Sequence, residues 1–335
     1  MSSLQLSPGA RAAAISAWQM PEALSSSAGA SLAPAQLAWT PDIPVDYVTV
    51  NGMRIRYITS GHGPVLVLLH ALRTQLDMFQ HVIPQLSKQF QVYALDYPGH
   101  GHSDAPEADY SAQFLSASVA AFLERLNIRN AIVAGESIGG TIALLLAAQR
   151  NPRMRGVVAV NPYDYARGAG LRRSSVFAKF FFLIRRIPWL SAMIRRVQPS
   201  IIKRIVKGGT VRKNALPPAL LKDLFGNGRQ PGHWRAFEQL VRHGLSWEQA
   251  RAEYRNITLP VLLVYGDDDW SRETEREANR RTIPRARIRF IEKASHFLAL
   301  DAPAAFQQAV IDYAASLDSY VVVPRRKRNW TDWPA

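Results

Sequence analysis

Residues 131–150 read AIVAGESIGGTIALLLAAQR. AIVA has the apolar, β-branched character of a strand covered on both faces, while TIALLLAAQR has the alanine and leucine content of a buried helix. No loop separates them. The chain must reverse from strand to helix within GESIGG, where Gly135 and Gly139 flank a serine, Ser137, that folding alone does not require.

Outward from this point, apolar runs alternate with helical patterns. VDYVTV (45–50) and MRIRYITS (53–60), split by Asn51-Gly52, predict a hairpin with a two-residue turn. PVLVLLH (64–70) predicts a strand, residues 76–88 a helical stretch, and FQVYALD (90–96) a strand. A helix over 111–127, the strand 131–136, a helix over 138–150 and the strand GVVAVN (156–161) follow. After a break the order resumes with LPVLLVYG (259–266), a helix over 272–282, ARIRFIE (286–292) and a helix over 302–317. This order predicts an α/β fold with a doubly wound, mostly parallel sheet covered on both faces, whose ligands bind beyond the carboxyl ends of the strands.

The 335 residues, 47% apolar and 20% charged, leave room for a large core. Residues 1–41 are rich in Ala, Ser and Pro and read as a mobile N-terminal arm. They lack the basic region and apolar stretch of a secretory signal, so the expected location is cytoplasmic. No cysteine is present, which excludes disulfides and a thiol nucleophile. No apolar run approaches the length of a membrane span.

The net charge of +15 is concentrated. Between Tyr163 and Arg255 there are 19 Lys and Arg against 5 Asp and Glu, a local balance of +14. The doublets Arg172/Arg173, Arg185/Arg186, Arg195/Arg196 and Lys203/Arg204 alternate there with apolar clusters, and Pro188 and Pro199 break the run into short amphipathic helices. Such a segment packs on the core with its arginines solvated, or rests peripherally on an anionic membrane surface; nucleic acid is not expected as a partner. The tail PRRKRNW reads as a solvated basic end.

Gly-x-Ser-x-Gly between a strand and a helix is the nucleophile-elbow pattern, in which a sharp turn lifts the serine above the sheet edge. A serine nucleophile needs a base, and the base needs an orienting acid. Both follow in the order the pattern requires. DDDW after the 259–266 strand offers Asp267, Asp268 and Asp269; Asp269 has the best spacing, and the other two are read as helix caps or turn-bonding groups. KASHFLAL places His296 beyond the next strand. Oxyanion donors are expected from the backbone N–H of Ile138 and, in HALRTQLDMF, of Leu72.

With these segments the chain resembles the α/β-hydrolase superfamily over residues 45–317. DYPGHGHSD (96–104) is similar to the family's Asp-x-x-Gly-x-Gly-x-Ser loop, and SHFLALDAP to its histidine segment. The resemblance implies a core over 42–161 and 256–319, a helical lid inserted over 162–255, and a tail over 320–335. It departs from the family at His70-Ala71, where the family has His-Gly, so an added methyl constrains the backbone before Leu72. Ser137 separates the chain from relatives with an aspartate nucleophile, the haloalkane dehalogenases and epoxide hydrolases. The implied activity is hydrolysis of an apolar carboxylic ester through an acyl-Ser137 intermediate, with no metal and no cofactor. Carbon–carbon bond hydrolysis of a diketone, cofactor-free perhydrolysis as in haloperoxidases, amide cleavage, and a non-catalytic binding role on the same fold are the alternatives.

Overall fold

The computed structural model describes residues 36–165, 170–173, 176, 206–212, 214–230 and 232–318. Among them the apolar runs form one sheet of nine strands: β1 (Gln36–Leu37), β2 (Thr40–Val50), β3 (Met53–Ser60), β4 (Val65–Leu69), β5 (Gln91–Leu95), β6 (Ala131–Glu136), β7 (Met154–Val160), β8 (Val261–Gly266) and β9 (Arg287–Ile291). Their spatial order is β1-β2-β3-β5-β4-β6-β7-β8-β9. Pairing is antiparallel from β1 to the β3–β5 contact and parallel from there to β9. The predicted doubly wound, mostly parallel sheet is the observed one.

Burial follows from position in the sheet. Every residue of the central strands β6 and β8 is buried, which is why their sequences carry no polar alternation. Helix α1 (Ala112–Arg125) starts at Ser111, whose side chain accepts from the Phe114 N–H as an N-cap. Helix α2 (Ile138–Ala148) is buried along its whole length, between β6 and β7 on one side and α1 on another. A helix apolar on every face has no solvent side to present. Each of its five large aliphatic side chains, Ile138, Ile142, Leu144, Leu145 and Leu146, contributes about 1.5–3 kcal/mol by leaving water.

Two expectations change. The sequence places the end of the N-terminal arm at residue 41, yet Gln36–Leu37 pairs with β2 and β2 begins at Thr40. Pro41 and Pro44 hide this stretch in the sequence; proline is tolerated toward a sheet edge, where its missing N–H costs little. The helical stretch over 76–88 breaks into a 3-10 turn, Leu76–Phe79, and a short helix, Ile83–Leu86, with Pro84 in its first turn. Residues 1–35 of the arm and the tail 320–335 lie outside the described residues.

Between β7 and β8 the described residues form a single helical turn, Gly170–Arg173, then α3 (Pro218–Asn227), α4 (His233–Arg242), α5 (Gly244–Gln249) and the 3-10 segment Ala250–Asn256. Polar anchors hold this insertion on the core. Asp164, after β7, accepts from Arg251 Nη2 at 3.0 Å, Tyr254 O–H at 3.1 Å and Asn279 Nδ2 at 2.9 Å. Asn227 donates to Gln75 Oε1 at 2.8 Å, and Asp223 accepts from the Gln75 amide. Arg173 pairs with Glu275 and Arg235 with Glu107, so part of the positive charge is neutralised within the fold. The doublets at 185/186, 195/196 and 203/204, on which the membrane-surface expectation rests, lie outside the described residues. Among the described residues no helix is long and apolar enough to cross a membrane.

Candidate active site

The reversal at GESIGG is as tight as its glycines imply. Ser137 has φ 59° and ψ −119°, a strained left-handed conformation for a non-glycine residue. A Cβ on Gly135 would stand 2.1 Å from the Gly139 carbonyl oxygen, and one on Gly139 would stand 2.2 Å from the Leu69 oxygen. Both distances are far inside van der Waals contact, so only glycine permits the approach of β6 to α2 and of α2 to the end of β4.

The parallel register of β6, β7, β8 and β9 brings their carboxyl ends side by side, and with them the three side chains selected from the sequence. Ser137 Oγ–H donates to His296 Nε2 at 2.8 Å, and His296 Nδ1–H donates to Asp269 Oδ1 at 2.6 Å. The carboxylate fixes the tautomer: a proton on Nδ1 leaves Nε2 as the acceptor that faces the serine. Ser137 and His296 are each only 1% exposed. Burial pushes the Asp269 carboxyl up, but its hydrogen bond and charge interaction with His296, helped by Ser271, outweigh this and hold it below the usual carboxylate value. Asp269 is therefore an anion beside the imidazole.

Asp267 and Asp268 stand apart from this relay. Both are exposed, and neither caps the helix α6 (Glu273–Thr282) that follows: the capping carboxylate is Glu275, which accepts from the Arg272 N–H at 2.8 Å.

The loop after β4 forms a turn closed by Thr74 N–H to Ala71 O at 3.2 Å, with Arg73 at φ 56° in its third position. Positive φ there is the mark of a type II turn. The His70 ring ties this turn to the core: Nε2 accepts from the Tyr97 N–H at 3.2 Å, and Nδ1–H donates to Ala71 O at 2.8 Å. Burial lowers its pKa to about 4, so the ring is neutral. The Ala71 N–H is spent on Met78 Sδ. The Leu72 N–H takes no acceptor among the described residues, and the Ile138 N–H, at the first position of α2, has none within its helix.

Four residues that the sequence reading did not select complete the site. Asn161, at φ 43° after β7, donates from Nδ2 to the carbonyls of Ser295 and His296, both at 3.0 Å, and accepts from the Gly266 N–H at 3.1 Å. It thus clamps three strand ends with one amide. Trp270 lies on the His296 ring with centroids 3.8 Å apart and planes 13° from parallel. Tyr165 O–H is 3.4 Å from each Asp269 oxygen and 3.3 Å from His296 Nδ1. Glu136, the variable residue of Gly-x-Ser, is fully buried and accepts from the backbone N–H groups of Leu298 and Ala299 just past His296. Burial is the main cause that raises its pKa to about 8. Glu136 and Asn161 signal themselves in the sequence only as polar residues at the end of a buried strand, and Trp270 and Tyr165 lie in the loops beyond with no such signal.

A sequence model of the alpha/beta hydrolase fold family matches residues 64–303. An uncharacterized protein of Mycobacterium tuberculosis is 26% identical over 274 residues, which cover 78% of this chain and 78% of that protein. 2-(acetamidomethylene)succinate hydrolase of Mesorhizobium japonicum is 27% identical over 243 residues, 68% of this chain and 80% of that enzyme. Among solved structures, Cfl2 of Burkholderia cenocepacia superposes with a TM-score of 0.72 at 21% identity, covering 82% of this chain and 97% of that one. The family match spans the strands β4 to β9, the elbow and the histidine loop, and from it the chain belongs to the alpha/beta hydrolase fold family.

Proposed function

We propose that this hydrolase of the α/β-hydrolase superfamily is a serine esterase that cleaves a carboxylic ester with an apolar acyl or aromatic part. The observation that carries the reading is the continuous relay from Ser137 Oγ through His296 to Asp269, with heavy-atom distances of 2.8 and 2.6 Å. An alcohol becomes nucleophilic only when its proton has somewhere to go, and here the acceptor is oriented and backed by an anion.

In the proposed cycle His296 Nε2 takes the Ser137 proton as Oγ attacks the ester carbonyl. The oxyanion is met by the N–H groups of Ile138 and Leu72, which are open for that purpose, with the amino end of α2 adding its dipole. His296 then gives the proton to the departing alkoxide, leaving an acyl-Ser137. Water enters, loses a proton to Nε2 and releases the acid, and the proton returns to Oγ. Asp269 orients the ring and stabilises the imidazolium, which Trp270 also covers with its π face. The aromatic surroundings of His296, Trp270 and Phe297, support an apolar substrate end. The helical insertion is read as the lid that closes over it.

A panel of p-nitrophenyl esters of increasing acyl length tests the reading. The wild-type protein is expected to turn over some members of the panel, and Ser137→Ala to lower kcat/KM by at least about 10³-fold. Hydrolysis that survives the substitution would refute the assignment.

A further inference from the structure

The residue after the proposed oxyanion donor is an arginine that has no counter-ion among the described residues. Arg73 turns its guanidinium away from the sheet into the seam between the core and the insertion. Its Cζ sits 5.2 Å from the centre of the Phe237 ring on α4, and a Cβ on Gly228 would come within 2.6 Å of its Nη2. Among the described residues it makes neither a hydrogen bond nor an ion pair. The carboxylates of this region are engaged elsewhere: Asp77 and Asp96 by Arg56, and Asp223 by Gln75 and His102.

Arg73 lines a crevice with Gln75, His100, Asn227, Gly228 and His233. It is an open crevice, and the space within it and at its mouth amounts to about 230 Å³. Among the described residues no carboxylate lines it. His100 adds no second charge, since burial keeps its pKa well below the ordinary value. Burial also lowers the Arg73 pKa to about 10, which still leaves the group a cation at neutral pH. A guanidinium held with its fork unused is the group that recognises a carboxylate with two parallel hydrogen bonds. Its backbone belongs to the same turn as Leu72, the proposed oxyanion donor.

We infer that Arg73 forms a carboxylate subsite, and that the substrate is an ester whose acyl chain ends in a second, anionic group. This deepens the esterase reading and rests on it for the reaction, though the binding of an anion does not. The test therefore has two arms. In the first, mono-p-nitrophenyl esters of α,ω-diacids are compared with neutral alkanoate esters over a chain-length series. The ratio of kcat/KM, anionic over neutral, should fall by about 10- to 100-fold in Arg73→Gln at the best length, with partial recovery in Arg73→Lys. In the second, thermal unfolding of the Ser137→Ala protein is followed with suberate or with inorganic phosphate. Suberate should raise Tm in Ser137→Ala and not in Ser137→Ala with Arg73→Gln.

A ratio that does not move with Arg73→Gln, or equal stabilisation of both proteins by suberate, overturns the subsite. Stabilisation by phosphate alone, with the ratio unmoved, would make Arg73 a site for free anions and overturn the assignment to substrate. Absence of hydrolysis of every ester, with Arg73-dependent stabilisation by suberate intact, would defeat the esterase reading and leave the subsite standing.

Discussion

Arg56 and Arg73 are both drawn into the protein around the loops that follow β4 and β5, and their surroundings are opposite. Arg56 donates to Asp77 at 2.8 Å and to Asp96 at 3.2 Å, and those carboxylates accept in turn from the Trp39 indole, the Gln75 amide and the N–H groups of Leu76 and His102. Burial works against the Arg56 charge, yet the two carboxylates outweigh it and raise the pKa above the ordinary arginine value. At Arg73 burial acts with nothing to oppose it, and the pKa falls. The first arrangement answers its charge with two carboxylates and holds loops in place. The second has unspent valences, as do the N–H groups of Leu72 and Ile138. Around this site the charge answered by carboxylates braces the loops, and the open guanidinium and N–H groups are the ones a ligand could engage.

The largest effect expected from this contrast is on stability. Arg56→Met strands two buried carboxylates and should cost about 3–5 kcal/mol, read as a lower urea midpoint at unchanged slope. Arg73→Met strands no carboxylate among the described residues, and its unfolding free energy should stay or rise by about 1 kcal/mol. Equal losses in the two variants would break the comparison.

A smaller effect should appear as a pH slope at Glu136. Its folded pKa of about 8 lies above the unfolded value of about 4.5, so across that window the native state holds a proton that the unfolded state has released. Stability contributed by this proton is complete below pH about 4.5 and falls as pH rises toward about 8, by up to about 1.4 kcal/mol per pH unit. Glu136→Gln keeps an acceptor for the Leu298 and Ala299 N–H groups and should flatten that slope in denaturation curves collected between those limits. A slope identical to wild type would mean that Glu136 is ionised in the fold.

The parts of this fold that were legible in the sequence are those decided locally. AIVAGESIGGTIALL carries the strand, the reversal and the helix in one window, and DDDW and KASHF each follow a strand by a few residues, so Ser137, Asp269 and His296 could be chosen before their distances were known. The rest depends on register. Asn161 clamps Ser295, His296 and Gly266 because β7 lies between β6 and β8, and Tyr165 reaches Asp269 by the same neighbourhood. Their local sequence, VNPYDY, says only that polar residues follow a strand. Thr40–Val50 was shortened by its prolines, and residues 76–86 have helical periodicity that Pro84 divides. The missing partner of Arg73 is a property of three-dimensional surroundings, and a count of 41 basic residues cannot single it out.

The central claim is that Ser137, His296 and Asp269 act as one relay that makes a covalent enzyme. Brief exposure to a fluorophosphonate, followed by digestion and mass spectrometry, addresses it most directly. The account predicts a single adduct on the peptide that carries Ser137, slowed at least about 100-fold by His296→Ala and absent from Ser137→Ala. An adduct on another residue, or equal labelling of the Ser137→Ala protein, would contradict it.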